Sequence, residues 1–154
     1  MNKQSAGILL FRIKNKMLQV FLVHPGGPFW KNKDLGAWSI PKGEFTSEEN
    51  AFDAAVREFK EETGTELSGN FIELMPIKQK SGKIVNAWAV EGDINPNTMF
   101  CETIVQIEWP PKTGKFISFP EVDKGEWFDA NVAKQKINSS QAALVDELIE
   151  KILV

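Results

Sequence analysis

Residues 43–64 read GEFTSEENAFDAAVREFKEETG, and this stretch joins a helical pattern to a cluster of carboxylates. Ala51, Ala55 and Phe59 recur every four residues, which predicts an amphipathic helix over 47–63 with one buried face. The remaining face is acidic and is held in a fixed direction by the docking of the helix. A charged face that is positioned in this way is a candidate functional surface.

Three glutamates lie together near the carboxyl end of the predicted helix. Glu58, Glu61 and Glu62 are three and four residues apart, so their carboxylates share one side of the helix. Like charges at this spacing repel, and the negative end of the helix dipole adds to the cost. A hard divalent cation with oxygen ligands would offset that cost. The sequence therefore predicts a metal site here, on a helix that Ser47 caps at its start and Gly64 at its end.

The polar residues of the stretch also follow a known order. Gly43 is followed after five residues by Glu49, then after seven more by Arg57, and the pattern closes at Gly64. This order resembles the Nudix box, G-x5-E-x7-R-E-U-x-E-E-x-G-U, which here spans 43–65. All seven fixed polar and glycine positions of the box are filled in this chain.

Two apolar positions of the box differ from the family pattern. Phe59 stands where a bulky aliphatic residue is usual and still suits a core, whereas Thr65 is polar and suits the strand or turn after the helix. The resemblance implies a single Nudix domain over residues 1–154. It also implies an α/β fold, the Nudix α/β/α sandwich, in which a mixed β-sheet lies between helices.

The rest of the chain fits that architecture. Apolar runs at 4–13 and 17–23 predict a β-hairpin, and the turn-rich segment 24–37 predicts a loop. The other predicted elements are strands at 38–40, 70–79, 84–92, 102–109 and 126–128, a hairpin turn at Ser81-Gly82, and helices at 129–137 and 139–153, the latter capped by Ser139 or Ser140. Strands, a helix, more strands and terminal helices predict a sheet covered by helices.

Composition narrows the classes of function. With 154 residues, of which 42% are hydrophobic, the chain is long enough for one domain with its own core. The net charge of -3 argues against a general nucleic-acid binder. Cys101 is the single cysteine, so no internal disulfide can form, and we expect the protein to be in a reducing compartment, the cytoplasm. We expect Cys101 itself to be a small, buried hydrophobic residue. No apolar run reaches the length of a membrane span, so no membrane partner is expected.

The resemblance also implies a reaction. Family members typically hydrolyse a nucleoside diphosphate linked to another moiety, so we expect cleavage of a phosphoanhydride bond in a nucleoside polyphosphate. An acidic helix can bind a polyphosphate only through cations, which makes Mg²⁺ the expected cofactor, with Mn²⁺ as a substitute. Glu58, Glu61 and Glu62 match the metal ligands and the catalytic base, and the choice of base stays open. Arg57 is expected in the catalytic constellation, paired with a box glutamate such as Glu49.

Residues outside the helix extend the predicted metal site. The backbone carbonyl of Lys42 precedes the flexible Gly43 and is expected to face a metal. Many relatives supply another carboxylate from a loop across the cleft, and Glu121 is the candidate here, with Glu102 second. His24 is the only histidine, so it cannot form a zinc site and a structural role is expected.

Substrate contacts are predicted from aromatic and polar side chains. Phe29 and Trp30 can form a flat apolar wall for a nucleobase, because pockets combine apolar walls with a few polar anchors. Lys80 and Lys83, together with the Lys42 side chain named above, flank the expected cleft and can neutralise phosphates. Gln141 is placed like the base-reading amides of MutT-like relatives.

Several alternatives stay open at this point. The substrate can be a nucleoside triphosphate or a dinucleoside polyphosphate; residues 80–89 resemble diadenosine tetraphosphate hydrolases, although the chain has no tyrosine. ADP-ribose fits less well, because Pro76 is too close to the box. A non-catalytic Nudix-fold sensor of a nucleotide is the alternative function, although such proteins usually show a degraded box. The expected partner is a small nucleotide, and a homodimer remains open.

Overall fold

The computed structural model describes residues 3–152. The strands and helices follow one another as β1 (Gln4–Lys14), β2 (Met17–Pro25), β3 (Lys42–Glu44), α1 (Ala51–Thr63), β4 (Ile72–Glu73), β5 (Ile77–Lys78), β6 (Ile84–Glu91), β7 (Ile104–Glu108), β8 (Phe116–Pro120), β9 (Val122–Asp129), α2 (Ala130–Lys136) and α3 (Ala142–Ile152). Short 3₁₀ turns lie at Pro96–Thr98 and Ser139–Gln141.

Seven of the described strands form one mixed sheet. Its order is β4-β6-β1-β2-β9, with β3 beside β1 and β5 beside β6. The central strand β1 runs parallel to β6 and antiparallel to both β2 and β3. Strands β7 and β8 pair only with each other, so they form a separate hairpin beside the main sheet.

Helices cover both faces of the sheet, as the alternation of side chains along β1 requires. Ile8 and Leu10 pack with Phe59 of α1 in one buried cluster. Leu9 belongs to the cluster on the opposite face, which includes Leu144 of α3. This arrangement confirms the predicted α/β/α sandwich with a mixed sheet between helices.

Helix α1 begins later than predicted. Asn50, and not Ser47, is the N-cap, because its Oδ1 accepts hydrogen bonds from the backbone N–H groups of Phe52 and Asp53 at 2.9 and 3.2 Å. The predicted left-handed cap at Gly64 is confirmed, with φ of 80°.

The buried face of α1 also differs by one position from the prediction. Ala55 and Phe59 are fully buried as predicted, but Ala54 joins them, while Ala51 is only half-buried. As a result, the side of α1 that carries Glu58 and Glu62 is more buried than the sequence pattern predicted.

Several strand predictions need correction. Residues 38–40 make only isolated bridges, through Trp38 and Ser39. The strand predicted over 70–79 is divided into β4 and β5, and β3 and β8 were not predicted. The strand predicted over 126–128 is part of the longer strand β9. The helix predicted over 139–153 begins as a 3₁₀ turn, and its cap is Asn138, not Ser139 or Ser140. Position 153 lies outside the described residues.

Two other expectations concern burial. Cys101 is a free, buried thiol as expected, and its Sγ donates to the carbonyl oxygen of Thr103 at 3.6 Å. Burial raises the pKa of this thiol, which opposes a role as a nucleophile. Within residues 3–152, none of the helices combines the length and the apolar character needed to cross a membrane.

Candidate functional site

The site is built where β3 meets α1. Strand β3 pairs with the start of β1, which brings Gly43 opposite Ala6 and directly against α1. A Cβ atom at Gly43 would overlap the Glu58 carboxylate. Glycine at this position therefore leaves room for the Glu58 carboxylate beside β3, which gives a physical reason for Gly43 at the start of the box.

Arg57 connects the helix to the loop before it. Its Nε and Nη2 each donate to the Glu49 carboxylate at 2.8 Å, and its Nη1 donates to Glu58 at 3.0 Å and to Glu61 at 3.1 Å. These bonds raise the pKa of the guanidinium and lower the pKa of the Glu49 carboxyl. A two-armed pair of this kind fixes direction as well as distance. Arg57 therefore orients both the loop and two of the box glutamates.

Three carboxyl groups around this point have raised pKa values. Burial is the main cause at each, and the pKa of Glu62 stands well above its usual value because Glu121 and Glu58 add repulsion. The pKa of Glu58 is raised further by Glu61 and lowered in part by Arg57. The pKa of Glu121 is raised by burial and by Glu61, against the opposing effect of Lys42. The carboxylates therefore form one electrostatically coupled group.

Lys42 lies in the middle of this group. Burial and the neighbouring Lys83 lower the pKa of its ammonium, while the charges of Glu62 and Glu121 oppose that shift. A half-buried cation beside several carboxylates compensates part of their charge and leaves the rest uncompensated.

The carboxylates line two adjoining cavities. The first has a volume of about 270 Å³, and its walls include Glu58, Glu61, Glu121, Lys42 and Lys83. The second, of about 140 Å³, is lined by Glu62 as well as by Lys42 and Glu121. We call the two together the carboxylate cavity.

The donors of the carboxylate cavity suit a hard divalent cation. Among residues 3–152, no three His, Cys, Asp or Glu side chains stand ready in a metal-binding arrangement. The contacts of Arg57 Nη1 with Glu58 and Glu61 are one reason, because they hold these carboxylates toward the guanidinium. Nevertheless, the donors are all oxygens. Burial, and then repulsion by neighbouring carboxylates, raises the pKa values of Glu58, Glu62 and Glu121, and Mg²⁺ would neutralise their charges. The chemistry of this donor set therefore fits the ion.

Of the other residues predicted to extend the site, some line the carboxylate cavity and some do not. Glu121 lies at the corner between β8 and β9, inside the cavity, whereas Glu102 is exposed and does not line it. Lys83 lines the cavity and forms an ion pair with Glu44 at 3.3 Å. Lys80 lies instead in a separate polar cavity beside Ser139.

Gln141 is buried and bonded within the protein. Its Oε1 accepts from the backbone N–H of Ile40 at 3.1 Å, and its Nε2 donates to Ser39 at 3.1 Å. The side-chain amide thus ties the last 3₁₀ turn to the segment that leads into β3. It supports the floor of the smaller cavity, which Ile40 and Ser39 line.

His24 is also held by the protein itself. Its Nε2 donates to the Lys33 carbonyl oxygen at 2.7 Å, and its Nδ1 lies 3.0 Å from Asp123 Oδ1. The ring is buried and packs edge-on against Trp38. These contacts fasten the loop after β2 to the start of β9, in line with the expected structural role.

Phe29 and Trp30 lie in that loop with their rings 5.0 Å apart in an edge-to-face arrangement. They line a third cavity, which Glu121 also borders. The opposite wall comes from Val105, Ile107 and other residues of the β7–β8 hairpin, which the sequence did not predict as part of a site. The alternating apolar residues of β7 were the signal for that wall, but only the fold shows which face they present.

A sequence model of the NUDIX domain family matches residues 1–148 of this chain. The chain belongs to the Nudix family. Solved structures agree with this family at the level of the fold. The NUDIX domain of Shewanella oneidensis NrtR, complexed with ADP ribose, superimposes with a TM-score of 0.68 at 16% identity, covering 99% of this chain and 89% of that chain.

Two further Nudix structures are similar over nearly the whole chain. A binary complex of the C. elegans Ap4A hydrolase has a TM-score of 0.68 at 15% identity, covering 97% of this chain and 98% of that chain. A mutT/nudix family protein from Listeria innocua has a TM-score of 0.64 at 17% identity, with 98% and 94% covered. Among curated proteins, no sequence matches this chain. These identities establish the Nudix fold and do not select an activity.

Proposed function

We propose that this Nudix protein is a divalent-metal-dependent hydrolase that cleaves a phosphoanhydride bond in a nucleoside triphosphate or a dinucleoside polyphosphate. The observation that carries the proposal is the carboxylate cavity, in which Glu58, Glu61, Glu62 and Glu121 gather beside the half-buried Lys42. An anionic substrate can enter such a site only with cations that neutralise the carboxylates.

Glu58, Glu61, Glu62 and Glu121 are the proposed ligands of Mg²⁺, for which Mn²⁺ can substitute. The Lys42 carbonyl is the proposed neutral ligand. Because Ile8 N–H donates to the Pro41 carbonyl, the alternation of an antiparallel ladder turns the next carbonyl, that of Lys42, away from β1. The bound ion supplies charge neutralisation and lowers the pKa of water.

The remaining roles belong to the side chains of the chain itself. The Lys42 and Lys83 ammonium groups offset charge on the phosphate oxygens. One of the box glutamates accepts the proton of the attacking water as the general base. Lys80 and Gln141 do not line the carboxylate cavity, so we assign them no direct contact with the phosphates.

A panel of nucleotides tests the proposal. ATP, GTP, diadenosine tetraphosphate and ADP-ribose are incubated with Mg²⁺, Mn²⁺ or EDTA, and released phosphate and pyrophosphate are measured. We expect turnover of a polyphosphate only with a divalent metal, and a loss of about 100-fold or more in kcat for Glu61→Gln. Glu66→Gln is the matched control, because Glu66 is exposed and pairs with Lys60 outside the cavity. Full turnover by Glu61→Gln would refute the assignment of the metal site.

A nucleotide sensor without catalysis is the second candidate. Two observations favour it. Arg57 Nη1 already donates hydrogen bonds to the Glu58 and Glu61 carboxylates, and the similar NrtR domain is described in complex with ADP ribose. The same panel separates the two functions. Tight binding of one nucleotide, without turnover under any divalent metal, would support the sensor and overturn the hydrolase.

A further inference from the structure

The loop after β2 and the β7–β8 hairpin enclose a cavity of about 440 Å³. Phe29 and Trp30 line it from the loop, and Val105, Ile107 and Phe119 line it from the hairpin. We call it the aromatic cavity. Its volume lies within the range of cavities that bind small organic groups, and its walls are mainly apolar, as such sites require.

The two walls of the aromatic cavity are fixed relative to each other. A Cβ atom at Gly26 would overlap the Pro120 carbonyl oxygen, and one at Gly27, where φ is +94°, would lie 2.5 Å from the Phe119 ring. In addition, the Gly26 N–H donates to the Glu121 carbonyl at 2.9 Å. Loop and hairpin therefore meet backbone to backbone, so the cavity is formed before any ligand enters.

The walls of the aromatic cavity offer few side-chain groups that could read the edge of a base. Among the lining side chains, only Glu121 and the Trp30 indole carry polar atoms. Pro25 and Pro28 have no N–H, and the Gly26 N–H is already donated to the protein, so the N–H groups that the loop can offer are those of Gly27, Phe29 and Trp30. A ligand group here is therefore recognised mainly through its faces and its shape.

The aromatic cavity borders the carboxylate cavity. Glu121 lines both, so a substrate whose phosphate chain is held at the carboxylates can place its other end between the loop and the hairpin. At the rim, the Lys33 ammonium lies 3.5 Å from the centre of the Phe29 ring and orients it. We propose that the aromatic cavity binds the flat aromatic end of the phosphorylated substrate through its faces, and so accepts adenine and guanine nucleotides alike. The position of the phosphate chain in this inference rests on the proposed function.

Binding without turnover tests the inference. The probes are the analogues of ATP, GTP and inorganic tripolyphosphate in which methylene groups replace both bridging oxygens of the phosphate chain, each titrated calorimetrically in the presence of Mg²⁺. We expect the two nucleotides to differ by less than about tenfold in Kd, because a site without edge-reading groups discriminates weakly. Tripolyphosphate, which has no base to stack, should bind about tenfold or more weakly.

Two variants locate the effect in the aromatic cavity. Ile107→Ala and Phe29→Ala should weaken both nucleotides about five- to tenfold and leave tripolyphosphate unchanged. Ile104→Ala and Leu35→Ala are the matched controls: Ile104 is exposed on the opposite face of β7, and Leu35 is an exposed residue after β2 that does not line the cavity. Both controls should bind all three probes like the wild type.

The outcomes separate this inference from the proposed function. Tripolyphosphate binding as tight as that of the nucleotides, or a preference between the two bases above about 100-fold, would overturn the inference even if the protein hydrolyses nucleotides. Conversely, nucleotide binding that depends on Ile107 and Phe29, in a protein that turns over no nucleotide, would support the inference and overturn the hydrolase.

Discussion

Replacing Glu62 by Gln would remove a buried charge from the carboxylate cavity with almost no change in shape. Glu62 is 3% exposed, and burial together with the charges of Glu121 and Glu58 raises its pKa well above the usual value, with Lys42 in partial opposition. A carboxyl with a raised pKa in the folded state binds more protons there than in the unfolded chain. The free energy of unfolding of the metal-free protein therefore falls as the pH rises through the window above about 4.3, the unfolded value.

The expected effect of Glu62→Gln has opposite signs with and without metal. Without metal at pH 8, relief of a poorly compensated buried charge should raise the free energy of unfolding by about 1–3 kcal/mol, or the Tm by about 2–12 °C. The gain should vanish near pH 4, where the folded wild type already holds the proton. With Mg²⁺ at 100 times its Kd, the wild type should gain about 2.7 kcal/mol, and the variant should lose most of that gain.

Calorimetric melting of both proteins at pH 4 and pH 8, in EDTA and then in Mg²⁺, measures all of these quantities. Glu150→Gln is the control, because Glu150 is an exposed residue of α3 that is remote from β3 and α1 in the sheet sandwich. A Glu62→Gln protein that melts below the wild type in EDTA at pH 8 would refute the electrostatic reasoning. Equal stabilisation of variant and wild type by Mg²⁺ would refute the assignment of Glu62 as a ligand.

Two further predictions concern α1. Arg57→Lys cannot make the two-armed pair with Glu49 and should lower the urea midpoint of unfolding at pH 7. Because Arg57 lowers the pKa of Glu49, the stabilisation from this pair is lost as the pH falls through that lowered pKa, and the difference in midpoint between variant and wild type should shrink in acid. A difference that does not change with pH would contradict the assignment. Phe59→Ala removes a fully buried ring that packs 6.4 Å from Phe21 and should cost about 3–5 kcal/mol in urea unfolding, with a cost below about 1 kcal/mol arguing against its place in the core.

The sequence predicted the features of α1 that depend on local spacing. The burial of Ala55 and Phe59 and the left-handed cap at Gly64 are set within a few turns of one helix. The start of the helix was harder to predict, because serine and asparagine are both favoured at the N-cap position. The path of the loop before the helix decides whether Ser47 or Asn50 occupies that position. The contacts of Asn50 with two N–H groups decide the choice.

Features that depend on distant pairing could not be predicted in the same way. Strand β8 ends in Pro120 and is stabilised by its register with β7, which pairs Val105 with Phe119. That pairing decides which face of the hairpin borders the aromatic cavity. Similarly, the side-chain amide of Gln141 resembles a substrate-binding group in the sequence. Its Oε1, however, accepts a hydrogen bond from the backbone N–H of Ile40, which lies about a hundred positions earlier in the chain.

The geometry of Arg57 reconciles the proposed chemistry with the absence of a ready metal cluster in the part of the chain that the structure describes. Its guanidinium divides its hydrogen bonds between two directions: Nε and Nη2 hold Glu49, while Nη1 alone contacts Glu58 and Glu61. A cation entering the carboxylate cavity competes only with Nη1, so the bidentate pair with Glu49 can persist and keep the loop in place. Because Nη1 satisfies the two glutamates in the metal-free protein, their repulsion is limited until a divalent ion offers a stronger charge. On the proposed function, the same arginine would stabilise the helix in both states, and the carboxylates that it does not contact, Glu62 and Glu121, would define where the ion binds.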